Sequence, residues 1–460
     1  MFDKLANIFR IPDLRKRILF TLGLLFVYRL GGHLPTPGIN TQALENYFQG
    51  QQGGLFGFVD LFSGGQLRRM TIFALGIMPY ITASIILQLL TVVYEPLAKL
   101  QKEGELGRKK ITQWTRYITV ILASVQSFGI GIGLEKGGFA LNPGTGFLMM
   151  TMLTLTTGSA FIMWLGEQIT ERGVGNGMSL LIFAGIVVGL PRGVVDLIDK
   201  AKNASWGAMT FPLMLGLVVF MIAVVAFIVY VERSERRIPV QYAKRVVGRK
   251  VMGGQSTHLP LRVNAGGVMP VIFASSILTL PQTIGYGLKN TRYIGDLFRM
   301  LGWGEPLYTL LYAIGIIFFA YFYVSIVFNP SEVADNMRKY GGFIPGIRPG
   351  KRTADFINEV LTRITLVGAL YLIIISFIPE WLITGIHLNH LPFWLGGSFF
   401  EKLPVWVTNG LGVNFYFGGT SLLIVVGVAM DTVTQIEAQL IMRHYDGFTP
   451  RSGRIRGRRW

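Results

Sequence analysis

The sequence predicts an all-α polytopic membrane protein, with ten transmembrane helices in two inverted five-helix halves and a short re-entrant helix. Three observations predict this class. The 460 residues are 51% hydrophobic, and only 15% are charged, against roughly 25% in soluble domains. Ten apolar segments approach the roughly 20 residues that span a bilayer. When these segments are treated as spans, 32 of the 43 Lys and Arg residues fall on one side.

The predicted spans alternate with polar loops along the whole chain. Basic loops favour the cytosol, so both termini are expected there. Five spans per half make the second half enter from the opposite side, which permits inverted symmetry. The predicted spans cover residues 18–38, 71–93, 117–134, 147–166, 179–195, 211–231, 266–285, 307–328, 364–384 and 411–434. The predicted domains are the N-terminal half (1–195), an external connector (196–210), the C-terminal half (211–434) and a cytosolic basic tail (435–460).

One apolar stretch, Leu55 to Phe62, is far too short to cross a bilayer. Glycine pairs at 53–54 and 64–65 bracket it and permit sharp turns and a hinged movement. It can be a helix in an external loop. It can also be a re-entrant element, which must be surrounded by protein or water.

The composition argues against several classes of site. The chain has no cysteine, so disulfides and thiolate metal sites are excluded. Its five histidines are scattered, and we expect no catalytic centre, metal or cofactor. An ion-coupled secondary transporter of ten spans is the alternative, but such carriers bury ionisable groups near the midplane, and these spans hold essentially none there. A membrane scaffold without a pore is a third reading, which leaves the glycine-bracketed helix unexplained.

Several motifs, in family order over nearly the whole chain, resemble the SecY family of protein translocon channels. They are Phe73-Ala-Leu-Gly-Ile-Met-Pro-Tyr-Ile81, Tyr242-Ala-Lys-Arg245, Ser256-Thr-His-Leu-Pro260, Phe273-Ala-Ser-Ser276, Gly346-Ile-Arg-Pro-Gly350 and Phe417-Gly-Gly-Thr-Ser-Leu-Leu-Ile424. The resemblance implies a channel that passes unfolded secretory polypeptides across the membrane and releases hydrophobic segments sideways into lipid. Energy would come from a partner, because no catalytic constellation is present.

The resemblance also implies a constriction and a plug. The implied pore ring is Ile81, Ile85, Ile182, Ile186, Ile272 and Ile424. The spacing independently places Ile81 with Ile85, and Ile182 with Ile186, on shared helix faces, although such pairs usually reflect packing. The implied plug is the short apolar stretch, with Leu55, Phe56, Phe58, Val59, Leu61 and Phe62.

The resemblance further implies a lateral gate, formed by the spans at 71–93, 117–134, 266–285 and 307–328. Its polar side chains are expected either to hydrogen-bond across a closed seam or to bond their own helix backbone. They are Gln88, Thr91, Gln126, Ser275, Ser276 and Thr279.

Two basic loops, 232–264 and 329–363, match the family's docking arms for the ribosome or the motor ATPase SecA. The plain alternative is that their charge only sets topology and contacts anionic lipid. The implied docking residues are Arg245, Arg249, Lys250, Arg348, Lys351 and Arg352. The other implied partners are the small subunits SecE and SecG, signal sequences and nascent chains.

Overall fold

A computed structural model describes most of the chain. The described residues are 11–44, 63–202, 210–242, 245–247, 250–252, 256–285, 305–384 and 419–446. The predicted plug residues and Arg249 lie outside them.

Helices dominate the described residues. The helices are α1 (Pro12–Gly31), α2 (Met78–Val93), α3 (Glu95–Lys102), α4 (Glu105–Lys136), α5 (Thr145–Arg172), α6 (Gly177–Lys202), α7 (Thr210–Arg233), α8 (Met269–Gly285), α9 (Pro306–Val327), α10 (Pro330–Lys339), α11 (Lys351–Thr384) and α12 (Gly419–Asp446). The strands are β1 (Glu235–Tyr242), β2 (Arg245–Val247), β3 (Lys250–Met252), β4 (Ser256–Arg262) and β5 (Gly342–Phe343).

Each of the ten predicted spans overlaps one long helix: α1, α2, α4 to α9, α11 and α12. By length and composition, seven helices in the described part can each cross a membrane, or eight when α2 and α3 are counted as one span bent by 105°. Helix α1 is not among these seven, because basic residues in its first turns make its composition too polar. In α8 the apolar stretch Met269–Thr279 is shorter than a full span. The protein is therefore a multi-pass membrane protein, and its described spans number fewer than the ten predicted.

The first two spans were predicted with wrong boundaries. Helix α1 ends at Gly31, seven residues before the predicted end, because the prolines that follow cannot continue a helix. Helix α2 begins at Met78 instead of residue 71. The preceding residues form turns, and Gly76 adopts a left-handed φ of +57° just before the helix starts.

Three helices reach more than ten residues beyond the apolar runs that predicted them. Helix α4 starts twelve residues before its predicted span, α11 starts thirteen residues early, and α12 continues to Asp446 instead of ending at residue 434. Hydropathy detects only the lipid-immersed part of a helix, so the polar extensions gave no signal.

The largest core cluster joins residues from both halves of the chain. Buried side chains from α2, α5, α6, α8, α9, α11 and α12 pack together in it. Close packing against the turns before α2 helps to assemble this core. A Cβ added to Gly158 of α5 would lie 1.9 Å from the carbonyl oxygen of Ile72, so only glycine fits there.

The two basic loops form a β-sheet that the sequence analysis did not predict. Strands β4, β1 and β5 make a three-stranded antiparallel sheet in that order. Strand β1 pairs with β4 from Glu235 opposite Arg262 to Gln241 opposite Ser256. It pairs with β5 where Gln241 lies opposite Phe343. Because β5 belongs to the second loop, the two loops are one structural unit.

A separate hydrophobic core supports this sheet. Ile238 and Val240 of β1 are buried in it together with Ile344 and with residues of α10 and of the polar extension of α11. This core explains why α11 begins well before its apolar run, since the early turns cover one face of the sheet.

Candidate channel interior and loop surface

Two adjoining cavities, of about 380 and 270 Å³, form a cleft of mixed polar and apolar lining that we call the entrance cleft. Both are lined by residues of α6 and α8, and they share Asn176, Ser179, Ile182, Met269 and Ile272. The first extends along α2, α4 and α5, and the second extends along the end of α7 and along α12. The entrance cleft therefore lies between the two halves of the chain.

The six isoleucines implied as a pore ring are brought together, and we call them the isoleucine cluster. All six belong to the same buried core, and none is more than 7% exposed. Four of them line the entrance cleft: Ile81, Ile182, Ile272 and Ile424. Ile85 and Ile186 are buried beside them without lining either cavity.

Helix α2 turns one face toward the cleft. Tyr80, Ile81, Ser84 and Gln88 line the first cavity. Positions 81, 84 and 88 follow helical spacing along one face, and Ile85, one turn after Ile81, is buried in the same core.

An ion pair that the sequence analysis did not single out borders the first cavity. Arg116 of α4 and Glu167 of α5 form two contacts, Nε to Oε1 and Nη2 to Oε2, each 2.9 Å long. Glu167 is only 12% exposed, and its carboxylate is well matched to the planar guanidinium. The pair fixes α4 to α5 beside the cleft.

A second polar group lines the other cavity. The Nδ2 atom of Asn264 donates to Oε1 of Glu232 at 2.6 Å and to the carbonyl oxygen of Gly267 at 3.0 Å. Arg262 lies 3.5 Å from Asp431, and both side chains are largely exposed. These residues connect β4, α7, α8 and α12 at the rim of the cleft.

The helices implied as a lateral gate meet along a seam. Helix α8 packs against α2, α4 and α9. At one point of the α2–α8 contact, Oγ of Ser276 lies 4.0 Å from Sδ of Met78. Ser275, Ser276 and Thr279 are all buried. The two sides of the seam therefore touch in this structure.

The polar side chains at the seam bond mainly within their own helices, as the second of the two expectations states. Ser275 and Ser276 donate to the carbonyl of Ile272 at 2.9 and 2.7 Å, and Thr279 donates to that of Ser275 at 2.7 Å. The others on the α2 and α4 side behave similarly or are simply buried. Thr91 donates to the carbonyl of Gln88 at 2.7 Å, Nε2 of Gln88 lies 3.5 Å from Oγ of Ser84, and Gln126 is buried in α4.

The residues that follow the predicted plug pack next to the isoleucine cluster. Gly64 and Gly65 adopt left-handed φ angles of +72° and +82°. A Cβ on Gly64 would lie 2.8 Å from the carbonyl oxygen of Gly185, the residue before Ile186. The second glycine pair therefore makes a tight turn directly against α6.

The loop surface exposes the predicted basic residues of the second arm. Arg348, Lys351 and Arg352 are exposed. The hydroxyl of Thr353 donates to the carbonyl of Arg348 at 2.9 Å and fixes the shape of this turn. Arg245 and Lys250 lie on β2 and β3, which form a separate two-stranded antiparallel hairpin.

Comparison with known proteins decides the family. A model of the SecY family matches residues 71–433. The chain belongs to the SecY family. It is 48% identical to the protein translocase subunit SecY of Escherichia coli (strain K12), over 94% of this chain and 93% of that protein. It is 45% identical to the SecY subunit of Pseudomonas aeruginosa, over 95% and 93%.

Solved structures share the fold of this chain. One described as a protein-conducting channel aligns with a TM-score of 0.62 at 16% identity, covering 94% of both chains. Sec61 in a canine ribosome-channel complex aligns with a TM-score of 0.59, also at 16% identity and covering 94% of both. The family membership makes the protein a channel for polypeptide translocation across a membrane. The ion-coupled transporter finds no support among these relatives.

Proposed function

We propose that the isoleucine cluster is the constriction through which translocating polypeptides pass. The observation that supports this most directly is that four of its members line the entrance cleft. A polypeptide entering the cleft from the cytosol meets charged and amide side chains first and branched aliphatic side chains next. The constriction does not need to bind the polypeptide for the polypeptide to pass.

The chemistry of isoleucine suits this task. A passing polypeptide presents every type of side chain in turn, and a polar constriction would hold some of them. Branched aliphatic groups offer no hydrogen bond and no charge. When the channel is empty, a narrow apolar ring excludes water and ions by dewetting. The predicted plug, Leu55 to Phe62, would add a second seal on the external side. A solved SecY structure of similar fold is described as having a plug domain that stabilises the closed state.

The seam between α2 and α8 is proposed as the lateral gate. Ser276 and Thr279 each donate a hydrogen bond to a carbonyl of their own helix. An interhelical hydrogen bond in a membrane contributes only about 1 kcal/mol, so a seam held mainly by packing opens readily when a hydrophobic signal sequence replaces the lost contacts. The apolar segment then moves into lipid between the two halves.

The joined basic loops are proposed as the docking surface for the ribosome and for the motor ATPase SecA. Exposed arginines and lysines contact phosphates without reading sequence, and arginine also pairs with carboxylates of a protein partner. Solved channels of this fold, canine Sec61 and yeast Ssh1, were determined in complexes with ribosomes. Because the arms share one sheet, a partner that holds one of them also holds the other.

The remaining proposals follow from the family. The protein acts with the small subunits SecE and SecG in a bacterial inner membrane, contacts anionic lipid, and has both termini in the cytosol. It performs no catalysis, so the energy for transport comes from its partners. The distribution of 32 basic residues on the cytosolic side supports this orientation.

A disulfide across the seam tests the gate. The chain has no cysteine, so Met78→Cys with Ser276→Cys gives one defined pair where the side chains now approach to 4.0 Å. In vesicles that also contain the small subunits, we expect oxidation to stop translocation of an unfolded secretory polypeptide into a protease-protected space, and reduction to restore it. Each single cysteine variant is the control. Full transport through the oxidised pair would contradict the gate.

A further inference from the structure

The segment between β4 and α8 joins the three-stranded sheet to a helix of the channel interior. Strand β4 ends at Arg262, and α8 begins at Met269, three residues before Ile272. We call residues 263–268 the linker. Any displacement of the sheet reaches α8 through this linker or is absorbed by it.

One buried side chain holds the linker to its surroundings. Asn264 is 6% exposed, and the two hydrogens of its Nδ2 serve two acceptors. One is the Glu232 carboxylate at the end of α7, at 2.6 Å, and the other is the carbonyl of Gly267, at 3.0 Å. The backbone of Gly267 has a left-handed φ of +57°, a conformation that glycine adopts without strain, so this carbonyl belongs to a residue at which the linker can change direction. The amide thus braces the point where the linker would otherwise flex.

Two helices contact the linker at glycines, which have no side chain to hold the helix away from it. A Cβ on Gly368 of α11 would lie 2.8 Å from the carbonyl oxygen of Val263. A Cβ on Gly427 of α12 would lie 2.6 Å from the side chain of Val268. The linker is therefore enclosed by α7, α11 and α12. The exposed pair of Arg262 and Asp431 adds little to this restraint, since such surface ion pairs are weak.

We propose that Asn264 is a positioning residue that couples the three-stranded sheet to α8. With the amide in place, the linker is stiff, and a partner that displaces the sheet also displaces α8 at its seam with α2. Without the amide, the linker bends at Gly267 and the displacement stops there. This inference rests on the proposed docking and gate functions.

The test uses the cysteine pair at positions 78 and 276 as a reporter of the seam. The rate of disulfide formation is measured in vesicles before and after addition of non-translating ribosomes. In the parent pair, we expect ribosome binding to change this rate about tenfold, because a shift of 1.4 kcal/mol between closed and open seams is tenfold in population. In Asn264→Ala, we expect ribosomes to bind as tightly while the rate changes less than about twofold.

Two further variants separate coupling from general damage. Glu232→Gln keeps an oxygen that accepts from Asn264 and should respond like the parent, whereas Glu232→Ala should lose the response. Asn329→Ala is the matched control. It removes an amide that accepts from the backbone N–H of Ser331 and caps α10 in the other arm. It should retain the response.

The outcomes distinguish this inference from the function on which it rests. If ribosomes do not bind the parent pair, the proposed docking function is wrong; if they bind and the rate stays the same, the proposed gate is wrong. If the parent responds and Asn264→Ala responds equally, the coupling is wrong while the proposed function stands. Loss of the response in Asn329→Ala as well would also overturn the assignment to Asn264, because any lost hydrogen bond in the arms would then have the same effect.

Discussion

Replacing two isoleucines of the constriction with asparagine should make the resting channel leak ions. Ile81 and Ile424 line the two cavities of the entrance cleft, and both are buried, at 7% and 0% exposure. In Ile81→Asn with Ile424→Asn, each amide would enter this apolar core without a hydrogen-bond partner. Water would provide the missing partners once the constriction opens, so the substitutions destabilise the closed state relative to the open state.

The size of the effect follows from the burial. An unpaired buried amide costs about 1–3 kcal/mol, so the two substitutions together cost about 2–6 kcal/mol in the closed state. Each 1.4 kcal/mol changes an equilibrium tenfold, so the open fraction should rise at least about thirtyfold until it saturates. The aliphatic variants Ile81→Val with Ile424→Val keep the apolar surface and should leave the leak near its parent value.

The assay is ion conductance of purified channels in planar bilayers without any partner or substrate. Ile162→Asn is the matched control, because Ile162 is 0% exposed in the same core but lines neither cavity. It should lower thermal stability without a comparable leak. Unchanged conductance in the double variant, or an equal leak from Ile162→Asn, would refute the constriction.

Three other expectations can be checked separately. Deleting residues 55–65 should raise the same resting conductance, since the predicted plug would be lost; a tight channel after deletion argues against a plug. Arg348→Glu should weaken ribosome binding about tenfold in a sedimentation assay while the protein still integrates normally; unaltered binding and export would remove Arg348 from the docking surface. Arg116→Ala should lower the free energy of unfolding by about 1–2 kcal/mol, because Glu167 loses its partner in a half-buried site. Lys99→Ala removes one partner of an exposed ion pair and should change the free energy of unfolding little. A larger loss in Lys99→Ala than in Arg116→Ala would contradict the role of the Arg116–Glu167 pair in fixing α4 to α5.

The helical layer could be predicted from hydropathy because lipid allows few alternatives to apolar helices. Each of the ten predicted spans overlaps a helix, and the errors concern the residues at which helices begin and end. Those ends depend on local backbone chemistry, as at Gly31 and Gly76, or on partners outside the lipid, as for the early turns of α11. A hydropathy window detects neither local backbone conformation nor packing partners outside the lipid.

The interior contacts were harder to predict. The family resemblance located the isoleucine cluster, but nothing in the letters paired Arg116 with Glu167 or Asn264 with Glu232, because these contacts join residues far apart in the chain. The three-stranded sheet did leave a signal. Ile238 and Val240 alternate with exposed neighbours, the period of a half-buried strand, and a search for that period in the basic loops would have found β1.

The pairing of β1 with β5 has a practical consequence for chimaeric channels. If only one loop were transplanted from a relative, its strand would have to pair with a strand of the recipient protein. The pairing register would then depend on a loop with which the transplanted strand does not normally pair. The natural unit of exchange is both loops together, although more than one hundred residues and two membrane crossings separate Glu235 from Phe343 in the chain. Chimaeras that exchange both loops should fold, whereas chimaeras that exchange one loop should fail to fold, so that their binding to partners could not be measured.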